Sequence, residues 1–448
     1  MAGEARAKET ALAPGISAKP PLGPHTLLIL FVAASVILAA ATLAPELFGE
    51  GRKYDYALWY WAGRQVLTGG DLYAPDQYGT FAFLYPPFAA VLLAPFSLFG
   101  RAFLVLCIVL VTLASWWAAL TLSDRLSGES RPKPWWVVAL PSAILLPIIG
   151  ETFNLGQPNL MLLAMMLAGL ALLQSGREGS AGAMFALAAA LKAFPVAILP
   201  YLLWRRRWRA AAVMTICAAF FLLEAPAPFR GFERNLQEVG TWSGGMVLSA
   251  NQDGFGQRPQ QNWSWWNQSL VAVTHRLLRP VNVEQKDPDA KPRYVNILDL
   301  SYRQANLVLL AVAGLIGAGF CAVLPPERRR SLRSDATEFA LLLSLMTIAS
   351  PLASSYYFIW LLFPATVLVY RTAMEPCAKV RQASWGLLTL AMALAFVPFV
   401  FQHESHWPMA VGNLLWATAI IAGTLVWHMR RGLAREHSPS QASASAAP

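Results

Sequence analysis

Charge is what this chain has least of. Asp, Glu, Lys and Arg make up 13% of its 448 residues, against 56% hydrophobic residues, where a soluble domain carries about a quarter charged residues. With a mean hydropathy of +0.44, the chain has more apolar surface than one globular core can hide. Lipid must be its solvent, and an ordinary soluble fold is excluded. Cysteine is equally scarce. Cys107, Cys217, Cys321 and Cys377 form no CxxC pair, and three of them sit inside apolar runs, so neither a disulfide framework nor a zinc site is implied. The motifs of soluble enzymes are missing too: there is no P-loop, no dinucleotide-binding GxGxxG, no GxSxG and no HExxH. A nucleotide or nucleotide-sugar site is therefore not indicated, and a lipid-linked substrate suits the setting better. The net charge of +10 lies in short basic clusters between apolar runs. That is a topology signal rather than a nucleic-acid face.

What is present is a succession of apolar runs, at 26–46, 84–99, 102–122, 135–150, 158–174, 180–203, 210–226, 304–324, 337–349, 356–370, 384–401 and 409–428. They predict an all-α integral membrane protein of about twelve spans. Residues 1–25 are polar and read as a disordered leader, 26–430 as the polytopic domain, and 431–448 as a disordered tail. The run at 26–46 is long for a signal peptide and comes after a long polar lead-in, so it reads as an uncleaved anchor. Pro86, Pro87, Pro95, Pro141 and Pro147 interrupt runs in the first half. Broken helices at membrane depth line cavities or pack in protein, so this half is expected to surround a pocket. Basic residues at 205–209, 328–333, 371–381 and 430–435, with Arg101 and the leader, are expected on one side. Arg125, Arg131, Lys133 and Arg177 are left on the other. By the positive-inside rule both termini are cytoplasmic, with outer loops at 47–83 and 227–303. The polar break Glu151–Asn159 then falls inside, or outside if 84–99 is re-entrant.

Asp55 opens a Trp- and Tyr-rich stretch just after the first run. Leu58, Trp61, Ala62 and Gln65 share one face at helical spacing, which suits an amphipathic helix lying in the membrane interface. An acid dehydrated there is suited to accept a proton; equally, it caps a helix. Asp71 and Asp76 stand among Gly and Pro and read as turn residues. Tyr85 precedes a proline pair that opens a helix. Asn154, Gln157 and Asn159 are amides at membrane depth that must find partners, in a sugar or in a neighbouring helix. Lys192 lies mid-run, too far from the basic cluster to snorkel easily, and a lipid phosphate is its natural counter-ion. Glu224, His275, Arg276 and Arg279 read as loop residues on a solvated face.

At these residues the chain resembles the polyprenol-phosphate-mannose-dependent α-mannosyltransferases, glycosyltransferase family 87 of the GT-C superfamily. The matching stretches are Asp55-Tyr56, FLYPPFAAVLLAPFSLF at 83–99, LGQPNL at 155–160, ALKAFPVAILPYLLWRRRWRAA at 191–212, NQSL at 267–270 and SPLASSYYFIWLL at 350–362. The resemblance implies a GT-C-like bundle whose site lies at the outer face, in the plasma membrane. It implies a donor hexose on polyprenyl phosphate, a lipid or cell-envelope glycan acceptor, and an outer-loop Asp as general base, which matches Asp55. Lys192, Tyr85, Gln157, Asn159, Asn267, Gln268, Tyr356 and Tyr357 are assigned to the donor. Many members carry His where this chain has Tyr356 and Tyr357, and a tyrosine donates a hydrogen bond without carrying charge near neutral pH. Neither a metal nor a cofactor is expected, because polyprenyl phosphate leaves as a stable anion. The rival readings are a flippase of lipid-linked sugars, which predicts two related halves with paired broken helices, and a ligase moving a whole glycan from polyprenyl pyrophosphate.

Overall fold

The computed structural model describes residues 24–48, 54–75, 81–128, 134–251, 254–257, 262–285, 289–401 and 406–436. The expected leader and the Asp76 turn lie outside them, apart from the leader's last two residues. The final helix, Asn413–Glu436, runs past the expected tail boundary at 430. Described secondary structure is helical except for one two-residue hairpin pairing Ala250 with Phe255 and Asn251 with Gly254.

The first half runs α1 (Pro24–Phe48), α2 (Tyr54–Thr68), α3 (Pro87–Ser97), α4 (Arg101–Leu126), α5 (Trp135–Ile144), α6 (Leu146–Leu155), α7 (Asn159–Gln174) and α8 (Glu178–Leu191). Among the described residues, five helices are long and apolar enough to cross a membrane. They are His25–Pro45, α4, Trp208–Arg230, Tyr302–Val323 and Ala378–Val397, and α5 with α6, bent by 55°, forms a possible sixth. The expected count of about twelve is not reached this way: the runs at 158–174, 180–203, 337–349, 356–370 and 409–428 are not among them, and nor is the run at 84–99. Its helix α3 has 11 residues, about 16 Å of rise against roughly 30 Å of hydrocarbon. It packs on α2, with Gly63 pressed against Ser97 and Leu93.

Removing that span reverses the expected sidedness of the next segments of the chain. The turn after α4 lies against Leu332 and Arg333, with Gly128 at φ +84° where a side chain would collide with that backbone. Arg207 pairs with Glu178 at 3.3 Å and with Glu327 at 2.8 Å. Arg125 and Arg177 therefore belong to the basic end of the bundle, Arg101 to the opposite end, and Gly156–Asn159 also to the opposite end. That placement is the one expected if 84–99 is re-entrant.

A buried ion pair closes the basic end. Arg205 grips Glu338 with two hydrogen bonds of 2.7 and 2.5 Å, Tyr201 adds a third of 2.6 Å, and Glu338 is fully buried. Removing one partner of such a pair leaves an uncompensated buried charge, at a cost of about 3–5 kcal/mol. Arg205→Met is therefore expected to lower the thermal unfolding temperature in detergent by several degrees. An unchanged transition would show that the pair contributes nothing net.

Candidate active site

The site is assembled where α2 meets the corner between α6 and α7. Gly69, at φ +70°, ends α2 in a left-handed turn with Gly70 N–H bonded back to Gln65. The face that α2 buries is Tyr56, Trp59, Ala62, Gly63 and Val66, whereas Leu58, Trp61 and Gln65 are only half-buried. The helix is present as expected, and beside the Leu58, Trp61, Ala62 and Gln65 face it has a second one, on which Tyr56 and Trp59 pack inward on the α6–α7 corner. Tyr56 donates to Phe153 O at 2.7 Å, and Trp59 Nε1 donates to Gly156 O at 2.8 Å. Gly156 is left-handed, at φ +71°, and its Cα faces the Tyr56 ring so closely that a β-carbon would sit 3.1 Å from it. With the Gln157 N–H bonded to Thr152 O at 3.0 Å, this turn aims the Gln157 side chain at α2.

Asp55, on the first turn of α2, accepts a short hydrogen bond from Gln157 Nε2 on its Oδ2. The Tyr85 hydroxyl lies 3.3 Å from that Oδ2 and 3.4 Å from Gln157 Oε1, and donates to one of them at a time. Burial, and secondarily the Asp55 charge, hold the Tyr85 hydroxyl well above a tyrosine's usual pKa, so it remains a neutral donor.

Lys192 completes the cluster, in a different local structure from the one expected. The run at 180–203 is not one helix. Pro195 and Pro200 have no N–H to offer and clash with a preceding turn, so α8 stops at Leu191. Lys192 is extended (φ −156°, ψ 126°), and a short 3₁₀ turn, Phe194–Ile198, leads into Leu199–Trp204. The Lys192 ammonium lies 3.1 Å from Gln157 Oε1 and 3.2 Å from Asn159 Oδ1, and 4.2 Å over the Tyr357 ring. The rings of Tyr85 and Tyr356 lie farther off, at 5.5 and 5.6 Å. Asn159 Nδ2 donates to Tyr356 O at 3.2 Å, and Trp360 Nε1 to Asn159 O at 3.1 Å. These bonds tie the corner to the 3₁₀ segment Ser355–Leu361, as does Ser355 Oγ to Glu151 at 2.6 Å.

Seven of the nine residues singled out in the sequence thus meet: Asp55, Tyr85, Gln157, Asn159, Lys192, Tyr356 and Tyr357. Asn267 and Gln268 do not join them. Both are buried in a clasp, where Asn267 bonds Asn262 O, Pro351 O and Ala353 N, and Gln268 bonds Trp265 O and Met409 O. Every one of those bonds is to backbone, and together they tie the segment around Asn262–Ser269 to the Ser350–Ser354 turn and to Met409. His275 and Arg276 are fully buried rather than solvated. Arg276 donates to the carbonyls of Ala410, Ser264 and Asn267. Burial and the neighbouring Arg279 lower the His275 pKa to about 4, so it is neutral at physiological pH. Arg230 is committed to Glu238 and to Gly70 O. Asp71 makes the expected turn, accepting from Tyr73 N at 2.9 Å.

Beside the cluster, on the far side of the Gly156–Pro158 backbone, an apolar slot of about 150 Å³ runs between α3, α4 and α7. It is lined by Trp59, Leu93, Leu104, Cys107, Met161 and Leu191. Sequence reasoning gave Trp59, Tyr56 and Gly156 no part in building the site. The available signal was the glycine between a polar break and a proline.

Known proteins are similar to this sequence over most of its length. Residues 83–355 match the model of glycosyltransferase family 87. The chain is similar to a polyprenol-phosphate-mannose-dependent alpha-(1-2)-phosphatidylinositol pentamannoside mannosyltransferase of Mycobacterium tuberculosis (strain CDC 1551 / Oshkosh). The two are 28% identical over 373 residues, 80% of this chain and 76% of the relative. A protein of the same description from Mycolicibacterium smegmatis (strain ATCC 700084 / mc(2)155) is 25% identical over 401 residues, 86% of this chain and 82% of the relative. Among solved structures, the apo crystal structure of ArnT from Cupriavidus metallidurans aligns with a TM-score of 0.41 at 12% identity, over 90% of this chain and 77% of that one.

Proposed function

The chain belongs to glycosyltransferase family 87, and on that premise we propose that it transfers a hexose, mannose by the relatives' names, from polyprenyl phosphate to a glycolipid or cell-envelope glycan hydroxyl. The site lies at the outer face of the plasma membrane, with both termini cytoplasmic and the bundle of GT-C type. The positive-inside rule supports this sidedness, since the Arg205–Arg207 and Arg329–Arg333 clusters sit at the end opposite Asp55.

The observation that carries the reading is one carboxylate and one ammonium bridged by a single amide, from which they stand 102 and 35 residues away in sequence. Asp55 lies ahead of the family-matched stretch, so its role rests on this geometry. In the proposed step Asp55 Oδ2 takes the proton of the acceptor hydroxyl. The freed oxygen attacks the anomeric carbon, and the bond from that carbon to the phosphate oxygen breaks with its electron pair going to polyprenyl phosphate. The Lys192 ammonium offsets the charge gathering on the leaving group. One displacement inverts the anomeric centre. Tyr85, Tyr356 and Tyr357 surround the ammonium and offer ring faces and neutral hydroxyls to the sugar and phosphate. In a prenyl phosphate the apolar chain begins one ester oxygen from the charge. Leu191 lines the apolar slot and Lys192 is the next residue, so the slot is suited to the start of that chain.

Purified protein in liposomes with sugar-labelled polyprenyl-phosphate-mannose and membrane lipid extract tests the function. The expected result is label leaving the prenyl lipid for a new lipid or glycan. Label crossing the bilayer still attached to its lipid would identify a flippase. Transfer only from a pyrophosphate-linked glycan would identify a ligase.

A further inference from the structure

Within this proposed reaction, on whose reading of Asp55 the inference rests, we propose that Gln157 is a positioning residue. It holds the base and the cation apart and in fixed orientation, and it does not bind the donor.

The chemistry of the three groups permits one arrangement. An ionised carboxylate only accepts hydrogen bonds, and an ammonium only donates them. An amide between the two must turn its nitrogen to the carboxylate and its oxygen to the ammonium. Gln157 does so, with Nε2 on Asp55 Oδ2 and Oε1 3.1 Å from Lys192 Nζ. The flipped amide would set oxygen against carboxylate and N–H against ammonium. Asn159 repeats the pattern one step farther, its oxygen on Lys192 and its nitrogen on Tyr356 O. The ammonium is thus held by two amide oxygens and three ring faces, with the Asp55 carboxylate one amide away.

That spacing matters for catalysis. A direct Asp55–Lys192 ion pair would weaken the base and occupy the cation that the leaving phosphate needs. Gln157 is 5% exposed, and its backbone is set by the left-handed Gly156 and the bond to Thr152 O. Both ends of its side chain are therefore held before any substrate arrives. Each polar atom already holds one partner, which leaves a single N–H and at most one lone pair of the amide for anything else.

Among the described residues, the groups against Asp55 and Gln157 include Tyr85 ahead of α3 and Lys192 at the end of α8, with Tyr356 and Tyr357 on the 3₁₀ segment beside Lys192; Glu151 on α6 is turned to Ser355. Lys192 is the cation among them. The Gln157 N–H favours ionised Asp55. Gln157→Glu removes that donor and sets a second carboxylate beside Asp55, so the base must lose its proton at higher pH.

The test uses purified full-length protein in liposomes with polyprenyl-phosphate-mannose. For Gln157→Met, of similar length but without the two polar atoms, kcat is expected to fall about 10–100-fold, the scale of a misplaced catalytic group. The donor KM should stay within about threefold of wild type by the same reasoning, since uniform binding is unaffected. For Gln157→Glu, which keeps the residue's size, the acid limb of the kcat/KM profile is expected to move to higher pH by about one unit or more. A rise in donor KM at unchanged kcat, or an acid limb that stays in place, would overturn the proposal and return Gln157 to the donor. Asp55→Asn, run alongside, separates the two ways of failing. If it retains transfer, the base is misassigned. If it is inactive while the Gln157 variants change only KM, the positioning role alone is wrong.

Discussion

Asp55→Asn is expected to lower kcat for sugar transfer by about 10²–10⁴-fold, the usual contribution of a general base, in a protein that still folds and still binds donor. The substitution preserves shape, so packing against Gln157 and Tyr85 survives. What it removes is the ability to take a proton from the acceptor hydroxyl. The rival account is that Asp55 only caps α2. Its place on the first turn of α2 suits that, and the loss of a charge at a helix N-terminus costs about 0.3–1 kcal/mol. A capping role therefore predicts a small drop in stability and nearly full turnover. The catalytic role predicts the reverse, and thermal unfolding measured with kcat on the same preparation separates them.

Lys192→Met is expected to reduce kcat by about 10²–10³-fold, comparable to the loss of one charge-stabilising donor at a developing anion. The unfolding temperature should change little. Met keeps the length and the apolar stem. In the native protein the ammonium rests on two amide oxygens and aromatic faces. Burying the cation costs desolvation, while removing it takes a donor from two amide oxygens; the two effects oppose each other and the net change is expected to be small. Loss of activity without loss of stability is the mark of a group kept for function. Lys192→Arg is not expected to rescue. The planar guanidinium needs more room and different partner directions than a compact ammonium between two amides. A Lys192→Met protein with normal kcat would remove the phosphate-stabilising role.

Much of this site was legible in the sequence, because charge and amide groups at membrane depth are costly and stand out against apolar runs. Asp55, Gln157, Asn159 and Lys192 were visible for that reason. Tyr85 was visible as the residue ahead of a proline pair, and Tyr356 and Tyr357 through their place after the Ser-Pro pair. What hydropathy could not supply was depth. A proline-bounded apolar run such as 84–99 reads alike whether it crosses the bilayer or lies against another helix at one end of the bundle. Counted as a span, it puts the 151–159 break on the side opposite Asp55; counted as re-entrant, it puts the break on Asp55's side, where Gln157 lies. Residue type also fails to separate amides that hold backbone from amides that hold substrate. Asn267 and Gln268 look like donor ligands in sequence and prove to bind carbonyls and N–H groups of their own chain. The protein-facing side of α2 was not legible, because Tyr56 and Trp59 belong to a Trp- and Tyr-rich stretch that suits an interface, yet each sends its polar atom to a carbonyl of the α6–α7 corner.

The central claim is a single displacement at the anomeric carbon, with Asp55 as base and no covalent sugar–enzyme intermediate. The measurement that tests it most directly is the anomeric configuration of the newly made linkage, read by one-bond carbon–hydrogen coupling and compared with that of the donor. The account predicts inversion. Retention would require either two displacements through a nucleophile on the protein or attack from the face that the phosphate leaves, and would contradict the in-line attack assisted by Asp55.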